Sequence, residues 1–104
     1  MIIYHVTISL EASIEAQWIE WMLRIHVPEV LRTGCFSRCR IYKTVGEEET
    51  GPVYVMQYFC PSLEEYRRYR DNFAPTLQKE HSDRFSGHFS GARQLWEEIA
   101  TLET

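Results

Sequence analysis

The sequence lacks the features that mark several well-defined classes of protein. Its 104 residues contain no apolar run approaching the roughly 20 residues that cross a bilayer, so no membrane-spanning segment or membrane partner is expected. It has neither a Gly-rich phosphate loop nor a G-x-S-x-G turn, so no motif supports nucleotide binding or serine hydrolysis. The N-terminal stretch MIIYHVTISL lacks the basic region of a signal peptide, and a cytoplasmic location is expected.

Cysteine is scarce and occurs in an odd number. With only Cys35, Cys39 and Cys60, no disulfide framework is expected. Cys35 and Cys39 fall in one predicted strand, on the same face and about 13 Å apart. That separation is too large for a disulfide or for two ligands of one zinc ion. We therefore predict small buried thiols, and the sequence indicates neither a metal site nor a bound cofactor.

Basic residues are fewer than acidic ones. The chain carries 15 acidic and 11 basic residues, a formal net charge of −4. This balance argues against nucleic acid as a partner. The basic stretch EYRRYRD at 65–71 is interpreted as a solvated helix face.

The chain does contain clear hydrophobic periodicities. Apolar and polar residues alternate over 2–10, and strands are also predicted at 35–45, 53–60 and 89–97. Helices are predicted in the two remaining long segments, at 13–26 and from Ser62 onward. The order is β-α-β-β-α-β in a single domain, 1–104. It predicts an α+β, ferredoxin-like fold, with a four-stranded antiparallel sheet carrying two proline-broken helices on one face.

Several local features refine this prediction. Ser13 is expected to cap the first helix, and Ser62 with Glu65 to form a capping box at the second. Pro28 is expected to break the first helix and start a short second piece, which Gly34 ends; Pro75 interrupts the later helix in the same way, and Gly87 ends it. The acidic segment 46–52 is interpreted as a solvated hairpin loop. The sheet face away from the helices would carry His5, Thr7, Arg38, Arg40 and Tyr42.

Four stretches resemble a family of short, functionally uncharacterised bacterial proteins. They are MIIYHVTISL, WIEWMLRIHVPEVLRTGCF, VMQYFCPSLEEY and APTLQKEHSDRF, and the most specific pattern is W-x-x-W-M-x-x-x-H-x-P-x-V-x-x-T-G. The resemblance spans residues 1 to about 97 and implies a ferredoxin-like fold related to the dimeric α+β barrels. The wider superfamily, which includes antibiotic-biosynthesis and heme-degrading monooxygenases, commonly dimerises through its sheets. A homodimer through the sheet is therefore expected.

Four residues are candidates for a ligand pocket between helices and sheet: Trp21, His26, Gln57 and His81. Each also has a purely structural interpretation. His26 suits a helix end, His81 interrupts an apolar stripe as a hydrogen-bonded core histidine would, and Trp21 suits the core. Gln57 interrupts an apolar strand and needs a partner, which is a neighbour such as His5 or Tyr42, or a ligand.

Three functions are compatible with these residues. The first is a small-molecule-binding protein with the pocket described above. The second is a monooxygenase-like enzyme, cofactor-free or heme-dependent, that uses one histidine in proton transfer or ligation. The third is a regulatory or interaction protein without chemistry. An enclosed cavity touching both His26 and His81 would favour the first two.

Overall fold

Four antiparallel strands form one sheet with the order β2-β3-β1-β4. The computed structural model describes residues 1–46 and 51–104. The strands are β1 (Ile2–Leu10), β2 (Arg38–Lys43), β3 (Val53–Cys60) and β4 (Phe89–Glu97). The β-α-β-β-α-β order and the α+β class predicted from the sequence are thereby confirmed.

The helices lie on one face of the sheet and are shorter than the predicted segments. They comprise a 3₁₀ turn (Ala12–Ile14), α1 (Glu15–Trp21), a π-helical turn (Met22–His26), α2 (Val27–Arg32), α3 (Leu63–Asn72) and α4 (Ala74–Phe85). Their apolar residues join the core with alternate residues of the central strands. The core therefore fills the layer between helices and sheet, where a pocket was predicted.

The predicted break before Pro28 is wrong, whereas the short second helical piece predicted there is present as α2. Val27 keeps helical dihedral angles (φ −61°, ψ −44°), and its N–H donates to the Met22 carbonyl five residues back. This π-helical turn takes in one extra residue, so Pro28 enters at the first turn of α2, where its missing N–H is tolerated. Met22 and His26, the first and last residues of this turn, are both buried, whereas Ile25 is 43% exposed.

Two further local predictions are wrong. Ser13 caps no helix, because the 3₁₀ turn and α1 both begin without a side-chain cap among the described residues. The second strand begins at Arg38 rather than residue 35, so Cys35 is buried before the strand while Cys39 is half-buried within it. In a strand that began at residue 35, Phe36 would share the face of Arg38 and Arg40, away from the helices; because it precedes the observed strand, it lies in the core instead.

The other helix boundaries lie where capping, proline and glycine residues were predicted to place them. Ser62 Oγ accepts a hydrogen bond from the Glu65 N–H at 3.2 Å and caps α3. Phe73 leaves the helical region (φ −126°) and separates α3 from α4, with Pro75 in the first turn of α4. Gly34 has φ +78° just after α2, the left-handed conformation that favours glycine. The predicted acidic loop lies mainly on residues 47–50, outside the described residues.

Candidate functional site

A small cavity lies between the helices and the sheet. Its volume is about 30 Å³, room for very few water molecules. The lining is partly apolar, from Val6, Ile8, Met22 and Met56, and partly polar, from Tyr4, His26, Tyr58, Tyr69, Gln78, His81 and Arg93. Such a concentration of polar groups in a core layer is unusual, because buried polar groups destabilise a core unless they are paired.

His26 stands at the end of the π-helical turn with an unpaired ring nitrogen. The side chain is 9% exposed, and its Nδ1 is buried without a hydrogen-bond partner among the described residues. The Trp21 ring stacks on the imidazole at a centroid distance of 5.2 Å and an interplanar angle of 27°. The ring is therefore held in place by packing while one of its polar atoms is unsatisfied.

His81 is held by a different partner. The Trp18 indole N–H donates to His81 Nε2 at 2.9 Å, and both residues are buried. An indole nitrogen can only donate, so Nε2 must be the acceptor and the neutral ring carries its proton on Nδ1. The predicted core histidine with a hydrogen-bond partner is thus present, and it also lines the cavity.

The two imidazoles are neighbours, with ring centroids 5.7 Å apart. Burial, with smaller contributions from the charges of His81 and Arg93, lowers the pKa of His26 from 6.5 to about 4. Burial, followed by the charge of Arg93, likewise lowers the pKa of His81 to about 4. Both rings are therefore neutral at pH 7.

Three polar groups of the cavity were not predicted from the sequence: Arg93, Tyr4 and Gln78. Arg93 pairs with Val6 across β1 and β4, which places it on the helix side of the sheet. Its guanidinium lies close enough to the Tyr4 hydroxyl to lower the pKa of that group, although burial dominates and raises the pKa overall. Gln78 Nε2 donates to the same hydroxyl at the long distance of 3.5 Å.

A sequence pattern does identify one of these residues. In β4, Phe89, Gly91 and Leu95 alternate on one face, and Arg93 is the charged residue that interrupts them. A charged residue among apolar ones on the core side of a strand indicates a site, and Arg93, exposed at the edge strand β4, is accessible there to a ligand. Tyr4 carries no comparable signal, because a buried tyrosine in an apolar face is an ordinary core residue.

The structure brings three of the four predicted site residues together. Trp21 is half-buried and packs against His26, His81 and Phe85, outside the shell that lines the cavity. Gln57 is not with them. Tyr54, Met56 and Tyr58 face the helices, so Gln57 lies on the opposite face of β3, between His5 of β1 and Arg40 of β2. Its predicted place in the helix-side pocket is wrong, because side chains alternate along a strand.

The open face of the sheet carries a mixed aromatic and basic surface. His5 stacks on Trp96 at 3.8 Å, and the guanidinium groups of Arg38 and Arg40 lie 4.5 and 5.3 Å from the ring centroid of Phe59. Trp96 is 40% exposed. We call this surface, with Val55 and Tyr42 beside it, the open face.

The described residues contain no cluster of metal ligands, and the Cys39 thiol is not activated. Within residues 1–46 and 51–104, no three His, Cys, Asp or Glu side chains are grouped as metal ligands. Burial raises the pKa of the Cys39 thiol to about 12, so it is protonated at neutral pH. In the same part of the chain, no helix has the length and apolar character that a bilayer crossing requires.

The pattern that defines the domain of unknown function DUF4286 matches residues 1–99. The chain belongs to the DUF4286 family. That membership confirms the resemblance to an uncharacterised family and assigns no activity. No curated protein sequence shows a significant match.

Solved structures show the same fold for this DUF4286 protein. HapK from Hahella chejuensis superposes with a TM-score of 0.74 at 9% identity, covering 100% of this chain and 98% of its own. SnoaB from Streptomyces nogalater, described as a cofactor-independent oxygenase and solved in mutant form, gives 0.72 at 14% identity, with 99% and 97% coverage. A dimeric ferredoxin-like protein from an uncultured marine organism gives 0.70 at 13% identity, with 99% and 98% coverage. At such identities these likenesses establish the fold alone.

Proposed function

We propose that this DUF4286 protein binds a small molecule in the cavity between helices and sheet. The observation that carries the proposal is the buried, unpaired Nδ1 of His26 on the cavity wall. A stable fold rarely retains such an atom, since an unsatisfied buried polar group costs about 1–3 kcal/mol. A ligand that hydrogen-bonds to Nδ1 supplies the missing partner. The present volume means that side chains must move outward to admit anything larger than water.

Replacing His26 by Leu tests this proposal. The variant should unfold at the same or a higher temperature, because it removes an unpaired nitrogen and keeps an apolar side chain in the core. It should also lose the binding of small compounds, detected as shifts of the Trp18 indole N–H signal in NMR spectra. The surface variant His88→Leu serves as the control and should bind as the natural protein does. Marked destabilisation of the His26 variant would instead assign His26 to the core.

A second candidate function is proton abstraction from the bound molecule, as in a cofactor-free enzyme. The same nitrogen favours it, because in the neutral tautomer that carries its proton on Nε2 the unpaired Nδ1 can accept a proton. Exchange of an acidic C–H of a bound probe with D₂O, faster with the natural protein than with His26→Leu, would support it. A heme-dependent enzyme fits poorly, because His81 Nε2 is occupied by Trp18 and the cavity is far smaller than a porphyrin.

We also propose that two copies associate through the open face. Its aromatic residues include Tyr42 and Trp96, which are 46% and 40% exposed, and one structural neighbour is described as dimeric. Burying this face would remove large aromatic surfaces from water. It would leave the cavity on the other side of each sheet available to ligand.

A further inference from the structure

The charge of the cavity lining indicates which class of small molecule the cavity binds. Arg93 is the cationic residue of the lining, and the described lining residues include no carboxylate. Both histidines are neutral at pH 7, because burial lowers the pKa of each to about 4. The described wall therefore carries one net positive charge.

The Arg93 guanidinium has N–H donors that no described carboxylate occupies. A guanidinium has five N–H donors in a planar fork. The guanidinium lies close enough to the Tyr4 hydroxyl to lower the pKa of that group, and no described carboxylate forms a salt bridge with Arg93. Because β4 is an edge strand and Arg93 is exposed there, its remaining donors are accessible to a ligand entering from that edge.

The cavity lining also includes apolar and aromatic side chains. Met22 and Met56 are among them, and the His26 ring is covered by Trp21. A ligand in the cavity thus has within reach a cation at β4, the thioethers of Met22 and Met56, and one unpaired nitrogen at His26.

We propose that the cavity takes a compact organic monoanion, with a carboxylate paired to the Arg93 guanidinium and an apolar body against Met22 and Met56. This inference rests on the proposed binding function and goes beyond it by naming the ligand class. Guanidinium groups bind carboxylates through two parallel hydrogen bonds, which gives the carboxylate both affinity and a fixed orientation.

Matched pairs of acids and amides test the charge requirement. The probes are acetate, propionate and benzoate, each compared with its uncharged amide at pH 7 and constant ionic strength. The indole N–H signals of Trp18 and Trp21 report on the cavity, and that of Trp96, on the open face, is the internal control. The best acid should bind at least about tenfold more tightly than its amide.

Two arginine variants locate the charge. Arg93→Gln should reduce the preference for acid over amide to within about threefold. Arg24→Gln, whose side chain is exposed on the outside of the π-helical turn, should leave the preference unchanged. Arg93→Lys should retain part of it, because it keeps the charge and loses the fork. An unchanged Trp96 signal in each variant shows that the fold is intact.

The possible failures are distinguishable. If amides shift the Trp18 signal as strongly as acids do, or if Arg93→Gln keeps the preference, the monoanion inference is overturned while small-molecule binding stands. If no probe of either kind shifts the Trp18 or Trp21 signal, both the inference and the binding proposal fail.

Discussion

The imidazole rings of His26 and His81 lie next to each other in the fold but differ in their hydrogen bonding. Trp18 occupies one nitrogen of His81 and so decides its tautomer, whereas His26 has a buried nitrogen with no partner in the described chain. The hydrogen bond from Trp18 gives one nitrogen of His81 a partner within the core. Nothing in the described chain does this for His26 Nδ1, and for that reason the proposed function depends on His26.

Replacing Trp18 by Phe should raise the pKa of His81. In the natural protein, protonation of His81 Nε2 requires breaking the hydrogen bond from Trp18, and the variant removes that requirement. NMR titration of the His81 ring signals measures the change. Trp21→Phe is the matched control, because Trp21 contacts His81 through its ring. Equal His81 pKa values in both variants would contradict a specific role for the Trp18 bond.

Stability should fall as the pH drops from about 6.5 toward 4. Both histidines have a folded-state pKa of about 4 against an ordinary value of 6.5, so the unfolded chain takes up protons first. The stabilising contribution is complete above pH 6.5 and is lost through this window. It amounts to roughly 4 kcal/mol for the pair, after allowance for hydration of the cavity.

Urea unfolding followed by tryptophan fluorescence at a series of pH values measures this dependence. The double variant His26→Leu/His81→Leu should lose most of the slope between pH 6.5 and 4.5, whereas His88→Leu should keep it, since His88 is on the surface. A slope that survives in the double variant would place its origin in other groups.

The sequence predicts the site only in part. His26, His81 and Trp21 could be selected because they interrupt or border apolar stripes, and the fold brings them together. Gln57 was misplaced, although the alternation of Tyr54, Met56 and Tyr58 already puts it on the other face. The unpaired state of His26 Nδ1 is invisible in the sequence, because it depends on which side chains reach the ring.

At the scale of elements, strands were easier to predict than helix ends. The predicted bounds of β1, β3 and β4 match the observed ones. Alternation identified β1, because a half-buried strand repeats every two residues, and β-forming residues identified β3. The π-helical turn was not predictable from the same pattern. A proline normally ends a helix, and only the backbone geometry shows that an inserted residue lets the chain continue through Pro28.

Gly51 fixes the chain where it enters β3, and Gly51→Ala should be strongly destabilising, by about 2 kcal/mol or more. Its φ is +101°, and an added Cβ would overlap the Leu10 carbonyl oxygen. Gly87→Ala is the control: φ is +83° but the space around it is open, so only the cost of the left-handed conformation, about 1 kcal/mol, is expected. Thermal unfolding compares the two. Equal losses would mean that the contact with Leu10 relaxes without cost.

At the scale of the whole molecule, the sheet separates two surfaces with different roles. The helix side holds the cavity, and the open face carries the exposed Trp96 and Tyr42, with Arg38 and Arg40 over the buried Phe59 ring. A domain of 104 residues has a limited core, so covering this face by a second copy would add substantially to its stability.

Val55→Glu should therefore separate the proposed dimer into monomers. Val55 is half-buried near the centre of the open face, between Thr7 and Tyr42 on the neighbouring strands. A carboxylate there would be buried without a partner in the interface, weakening association by at least about tenfold. Sedimentation equilibrium should show a dimer for the natural protein and for Leu23→Glu, whose substitution lies on an exposed helix position. A natural protein that sediments as a monomer, or a Val55→Glu variant that remains dimeric, would remove the open face as the interface.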